Sequence, residues 1–138
     1  MGRYWTIDHT ADAGIEVEAE SLADFFQTAG EAFCDLICDR STVQKKVERR
    51  IAVAGKSREE LLQAFLSELL YRFDVDHELF SEVTIVGMGD ASLTALVGGE
   101  LLDRSRHEIK IGIKAVTFHL LKVWQEGKVW KGRIIFDV

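Results

Sequence analysis

The stretch that most constrains the fold is residues 57–73. Ser57-Arg58-Glu59-Glu60 has the form of a capping box, in which a serine side chain accepts from an N–H of the first helical turn and a glutamate reaches back to the helix start. Leu61, Leu62, Phe65, Leu69, Leu70 and Phe73 then recur at helical spacing, which gives this helix one apolar stripe. A further helix runs from Ser21 as N-cap to near Asp39, with Asp24 at the third helical position and Leu22, Phe25, Phe26, Ala29, Phe33, Leu36 and Ile37 apolar. Two helices with broad apolar faces need a further apolar layer to cover them.

The rest of the chain supplies strands. Tyr4-Trp5-Thr6-Ile7 is aromatic and β-branched, and after Gly14 the segment Ile15-Glu16-Val17-Glu18-Ala19 alternates strictly between apolar and acidic. Residues 43–54 read as a strand through Val43, Val47, Ile51 and Val53. Val83-Thr84-Ile85-Val86 and Leu93-Thr94-Ala95-Leu96-Val97 flank the hairpin signal Gly87-Met88-Gly89-Asp90, and Gly98-Gly99 predicts a bend or bulge. Ile109, Ile111 and Ile113 alternate, then apolar residues return on the other phase at Val116, Phe118 and Leu120, which predicts a bulge near Lys114-Ala115. A hairpin around Gln125-Glu126-Gly127-Lys128 leads to the last strand, Arg133-Ile134-Ile135-Phe136. The expected fold is therefore α+β, a single domain over residues 1–138 with two amphipathic helices packed on a largely antiparallel β-sheet.

Composition agrees with a globular chain. Its 138 residues are 47% hydrophobic and 29% charged, and no apolar run approaches the roughly 20 residues of a membrane-spanning helix. The N-terminus lacks the charged and apolar regions of a signal peptide, so a cytoplasmic location without membrane contact is expected. A net charge of −6 argues against a protein that binds nucleic acid through its own broad field. The basic run Lys45, Lys46, Arg49, Arg50 reads as a solvated face, with RNA or an acidic partner as the alternative. Cys34 and Cys38 read as reduced core thiols, because a zinc site would require two further soft ligands.

Chemistry concentrates at Asp8-His9-Thr10-Ala11-Asp12 and at the final Phe136-Asp137-Val138. Asp8, Asp12, Asp137 and a terminal carboxylate are hard oxygen donors whose convergence would require a cation, and oxygen-only ligands favour Ca²⁺, Mg²⁺ or Mn²⁺ over Zn²⁺. Spacing alone equally allows Asp8 and Asp12 to cap a turn while Asp137 faces water. His9 is a candidate for orienting ligands or meeting a phosphate, with a structural hydrogen bond as the equal alternative. Lys114, between apolar residues, is either a snorkelling edge residue or a directed charge, and His119 has the opposite strand parity. The acidic stretch Asp74-Val75-Asp76-His77-Glu78 reads as an exposed charged loop, with metal binding as the lesser alternative. No G-x-S-x-G or P-loop spacing is present.

Taken together, Asp8-His9-Thr10-Ala11-Asp12-Ala13-Gly14, Glu68-Leu69-Leu70-Tyr71, Ile113-Lys114-Ala115-Val116-Thr117-Phe118-His119 and Ile135-Phe136-Asp137-Val138 resemble the archease family in order and spacing. The resemblance implies an accessory protein, not an enzyme, that assists an RtcB-type tRNA-splicing RNA ligase by promoting its guanylylation and multiple turnover. It implies a divalent-cation site (Ca²⁺, Mg²⁺ or Mn²⁺) at Asp12, Asp137 and Val138, with Lys114 nearby and Asp8, His9 and His119 as further candidates. Contact with tRNA or the nucleotide cofactor would be indirect. Phe118 stands where the family often has Tyr, which removes a hydroxyl. The rival readings are a stand-alone metal-dependent phosphoester hydrolase and a general adaptor or chaperone-like module for RNA-processing enzymes.

Overall fold

The computed structural model describes residues 2–9 and 12–138, with Asp8 and His9 described by their backbone alone. In chain order the elements are β1 (Arg3–His9), β2 (Asp12–Ala19), α1 (Leu22–Ile37), a 3₁₀ turn (Arg40–Thr42), β3 (Val47–Ala54), α2 (Arg58–Asp76), β4 (Glu78–Met88), β5 (Ser92–Leu101), β6 (Ala115–Val116), β7 (Lys122–Glu126) and β8 (Val129–Asp137). The strands form two antiparallel sheets. One runs β1-β2-β8-β6 with β7 also paired to β8, and the other runs β3-β5-β4.

Both helices begin where their caps predict. Ser21 Oγ accepts from Asp24 N–H at 3.1 Å, and Ser57 Oγ accepts from Glu60 N–H at 3.1 Å. The return arm of the second box is displaced by one residue: Glu60 Oε1 accepts from Lys56 N–H at 3.4 Å. Helix α1 contacts β2 and β1 of the first sheet and β4 of the second, so it lies between the sheets. This two-sided burial explains why Phe25, Phe26, Ala29, Ala32 and Phe33 are all fully buried, beyond what a single stripe would cover. Helix α2 contributes Leu61, Leu62, Phe65, Leu66 and Leu69 to the same core and touches strands of both sheets.

Several boundaries differ from expectation. Residues 43–46 precede β3 outside any strand, whereas β4 starts at Glu78, within one residue of the turn to β structure that the sequence places at Leu79. Gly98 and Gly99 lie inside β5, and the irregularity falls on the opposing strand, between Phe80 and Glu82. Gly99 is required there by close approach, since a Cβ would sit 1.8 Å from Leu79 O. Residues 107–114 are not strand, although Ile113 is buried. The β7–β8 hairpin forms as expected, with Gly127 supplying φ +61° at the turn.

Candidate functional site

The central position of the candidate site follows from strand register. Asp12 lies directly opposite Asp137 in the β2–β8 pair, His9 lies opposite Asp12 in β1–β2, and Ala115 lies opposite Asp137 in β6–β8. One row thus crosses four strands as His9, Asp12, Asp137, Ala115. Ile15, Val17 and Ala19 on β2 and Ile134 and Phe136 on β8 are buried, so alternation sends Asp12 and Asp137 to the outer face together. Directly opposed residues on one face hold their Cβ atoms roughly 4.5–5.5 Å apart. Asp12 is half-buried and Asp137 exposed.

Two further contacts fix this end of β8. Lys114 N–H donates to Asp137 O at 2.7 Å, and the partly buried Val138 packs against the core. The structure therefore gathers Asp12, Asp137, Val138 and the backbone of Lys114, whose side chain is exposed. Asp8 falls one register step away, opposite Ala13. The side chains of Asp8 and His9, and residues Thr10 and Ala11, lie outside the described residues.

His119 belongs to a different feature. Thr117 is tied to Ile135 O by its N–H at 3.1 Å and its Oγ1 at 2.8 Å, whereas Lys122 is already opposite Arg133. Residues 118–121 are consequently extruded opposite the single residue Ile134. This is where the chain is bulged, four residues beyond the Lys114-Ala115 position that the phase shift predicted. His119 N–H donates to Thr117 Oγ1 at 3.2 Å, Leu121 N–H to Phe118 O at 3.3 Å, and Arg133 Nε to Leu120 O at 2.9 Å. Leu120 occupies the left-handed region at φ 56°.

Helix α2 secures both sides of the interruption. Gln63 Nε2 donates to Val116 O at 3.1 Å, and Glu59 Oε2 accepts from Val123 N–H at 2.9 Å. Each supplies a short strand with a hydrogen bond that a continuous neighbouring strand would otherwise provide.

Other sequence candidates have structural explanations. Asp74 and Asp76 remain in α2, His77 is its left-handed C-cap at φ 57°, and buried Glu78 binds Arg49 at 2.8 and 2.9 Å. The expected charged loop at 74–78 is thus a helix end running into a strand. Cys34 and Cys38 are buried free thiols. Lys45 pairs with Glu48 and Glu82, each at 3.2 Å, and Lys46 lies 3.5 Å from Glu100, which accounts for much of the basic run.

Sequence reasoning missed the cluster around Glu100. This buried carboxylate meets Arg106, His107 and the Gln44 N–H, and hydrogen bonding from Arg106 above all holds its pKa down at about 2. Strand alternation from Leu93, Ala95 and Val97 would place Leu101 inside. Leu101 is instead 62% exposed and Glu100 buried, so the pattern carried no usable signal.

Among the described residues, no group of three or more His, Cys, Asp and Glu side chains is arranged to hold a metal. The Asp12–Asp137 edge offers two carboxylates and the main-chain oxygen of Val138. That set fits a hard divalent cation with several positions left for water or a partner's oxygens, and does not fit zinc.

Comparison with known proteins decides the family. Residues 4–138 match the Archease protein family (MTH1598/TM1083). The chain belongs to the archease family. Protein archease from Pyrococcus abyssi is 35% identical over 146 residues, covering all of both chains. That from Methanothermobacter thermautotrophicus is 35% identical over 134 residues and covers 95% of each. The solution structure of Methanobacterium thermoautotrophicum protein 1598 has a TM-score of 0.81 at 32% identity, covering 98% of both chains, and supports the α+β archease fold. A Thermotoga maritima archease described as a possible chaperone shares the fold at TM-score 0.64 and 18% identity, covering 96% of this chain and 94% of its own. No helix among the described residues is long and apolar enough to cross a membrane.

Proposed function

We propose that this archease activates an RtcB-type tRNA-splicing RNA ligase, promoting its guanylylation and multiple turnover as a protein cofactor in the cytoplasm. The observation that carries this reading is the direct opposition of Asp12 and Asp137 on neighbouring strands. Two carboxylates so placed repel one another unless a cation or a cationic partner neutralises them.

Asp12 and Asp137 would hold a divalent cation, Ca²⁺, Mg²⁺ or Mn²⁺, through carboxylate oxygens, and Val138 through a main-chain or carboxyl oxygen. Bound there, the ion supplies charge neutralisation for nucleotide phosphates at the ligase's active-site mouth. Lys114, whose backbone is tied to Asp137, brings an ammonium to the same edge, where it can meet phosphate oxygens. Val138 packed on the core and Lys114 bonded to Asp137 keep the donors in place before the partner arrives. The nucleophile belongs to the ligase, and contact with tRNA is indirect.

Ligase guanylylation is measured with the unaltered chain, Asp12→Ala and Asp137→Ala. The expected result is a fall to the unstimulated rate for either variant. Unchanged stimulation by both folded variants would overturn the reading.

A further inference from the structure

The extruded segment at 118–121 presents apolar side chains that the fold does not use. Phe118 is 61% exposed and Leu120 47%, although their spacing continues the apolar phase begun by buried Val116. A strand running on from Val116 would have turned that phase toward the core. The extrusion turns it outward, and four hydrogen bonds hold it: Thr117 Oγ1 to Ile135 O, His119 N–H to Thr117 Oγ1, Leu121 N–H to Phe118 O, and Arg133 Nε to Leu120 O. Thr117 and Gln63 brace its approach, and Leu120 accepts a left-handed backbone. An apolar pair held this way pays little ordering entropy on association.

Its position ties it to the acidic edge. Thr117 is paired with Ile135, two residues before Asp137, and Ala115 is opposite Asp137 itself. From this geometry we infer that Phe118 and Leu120 are the apolar anchor by which the Asp12–Asp137 edge docks on a protein partner, inserting into an apolar socket beside a cationic, phosphate-handling mouth. The inference rests on the proposed function and names the contact through which it acts. Carboxylates a few residues from the anchor favour a partner that presents positive charge and disfavour a polyanion such as RNA. On docking, the exposed Phe118 would become the buried aromatic of an interface hot spot, with the charged edge at its rim.

The test measures the equilibrium affinity of the purified ligase for the unaltered chain, Phe118→Ser, Phe118→Ser with Leu120→Ser, and Phe118→Tyr. Guanylylation is followed in parallel, and a single-stranded RNA of mixed sequence serves as a second probe. Both residues are exposed, so thermal midpoints should change little. The expected result is affinity for the ligase weakened roughly 10- to 100-fold by the double substitution and largely retained by Phe118→Tyr. Tight ligase binding that the double substitution leaves unchanged would overturn the anchor while leaving the proposed function standing. Loss of RNA binding alone would also overturn it, by assigning the pair to RNA. Failure of the unaltered chain to bind the ligase would overturn both.

Discussion

His107 and Glu100 share a buried hydrogen bond, with Nε2 of the imidazole 3.1 Å from Oε2 of the carboxylate. Asp103 N–H donates to His107 Nδ1 at 2.9 Å, which leaves the ring proton on Nε2 and makes the imidazole the donor to Glu100. Arg106, the Gln44 N–H at 2.6 Å and the Lys46 ammonium at 3.5 Å also meet this carboxylate.

Stability in acid should report this cluster. The carboxyl of Glu100 is lowered from its ordinary 4.5 to about 2, chiefly by hydrogen bonding from Arg106. A depressed acid stabilises the fold fully above its unfolded value and loses that contribution as pH falls through the folded one. Urea unfolding at stepped pH should therefore show a decline between 4.5 and 2 that is visibly shallower in Glu100→Gln. Equal slopes in the two proteins would remove Glu100 from the acid response.

The thiols give a second measurable contrast. Burial pushes the Cys34 thiol up to about 12, and the residue is buried. The thiolate is the reactive form, so iodoacetamide should leave Cys34 unmodified in the native protein and label it only when denaturant is added. Mass spectrometry after brief labelling reads the outcome directly. Prompt native-state labelling of Cys34 would contradict the packing of α1 between the sheets.

Gly99→Ala tests the close approach of β5 to β4. A methyl group at this position would lie 1.8 Å from Leu79 O and 2.7 Å from Phe80 Cα, both backbone atoms that cannot swing aside. Forcing the strands apart should cost about 3 kcal/mol or more, a large share of the roughly 5–15 kcal/mol that stabilises an ordinary domain. Denaturant titration should show that loss. A cost below about 1 kcal/mol would mean that the strands can part at the bulge.

The helices were legible because their signals are local: Ser21 and Ser57 carry cap hydrogen bonds at the positions their sequence context requires. Strand partnership was less so, since a sheet pairs residues distant in sequence. Nothing in the alternation of β2 or β8 by itself reveals that Asp12, near the start of the chain, lies directly opposite Asp137, near its end, in one sheet. The apolar phase at Val116, Phe118 and Leu120 was misleading for a specific reason. A two-residue period records which residues share a strand face, but a four-residue extrusion breaks the strand, and Phe118 and Leu120 face water. Similarly, Glu100 sits where strand parity predicts an outward side chain, and it is buried because Arg106, His107 and Gln44 arrive from outside the sheet.

Cation binding at the acidic edge should be readable without the ligase. A ligand that binds only the folded chain stabilises it by about 2.7 kcal/mol at a hundred times its Kd, which for a domain of this size raises the thermal midpoint by roughly 5–10 °C. Such a rise is expected with Ca²⁺, Mg²⁺ or Mn²⁺ in chelator-treated protein. Asp12→Asn and Asp137→Asn remove one carboxylate each while preserving shape, so each should abolish most of the rise. Deleting Val138 removes an oxygen donor and the side chain that packs the strand end on the core, and should abolish it as well. Glu108→Gln, at an exposed position outside the row of paired residues, should leave it intact. Equal midpoint shifts in all five proteins would place any bound cation elsewhere and leave the opposed carboxylates to act on a cationic partner alone.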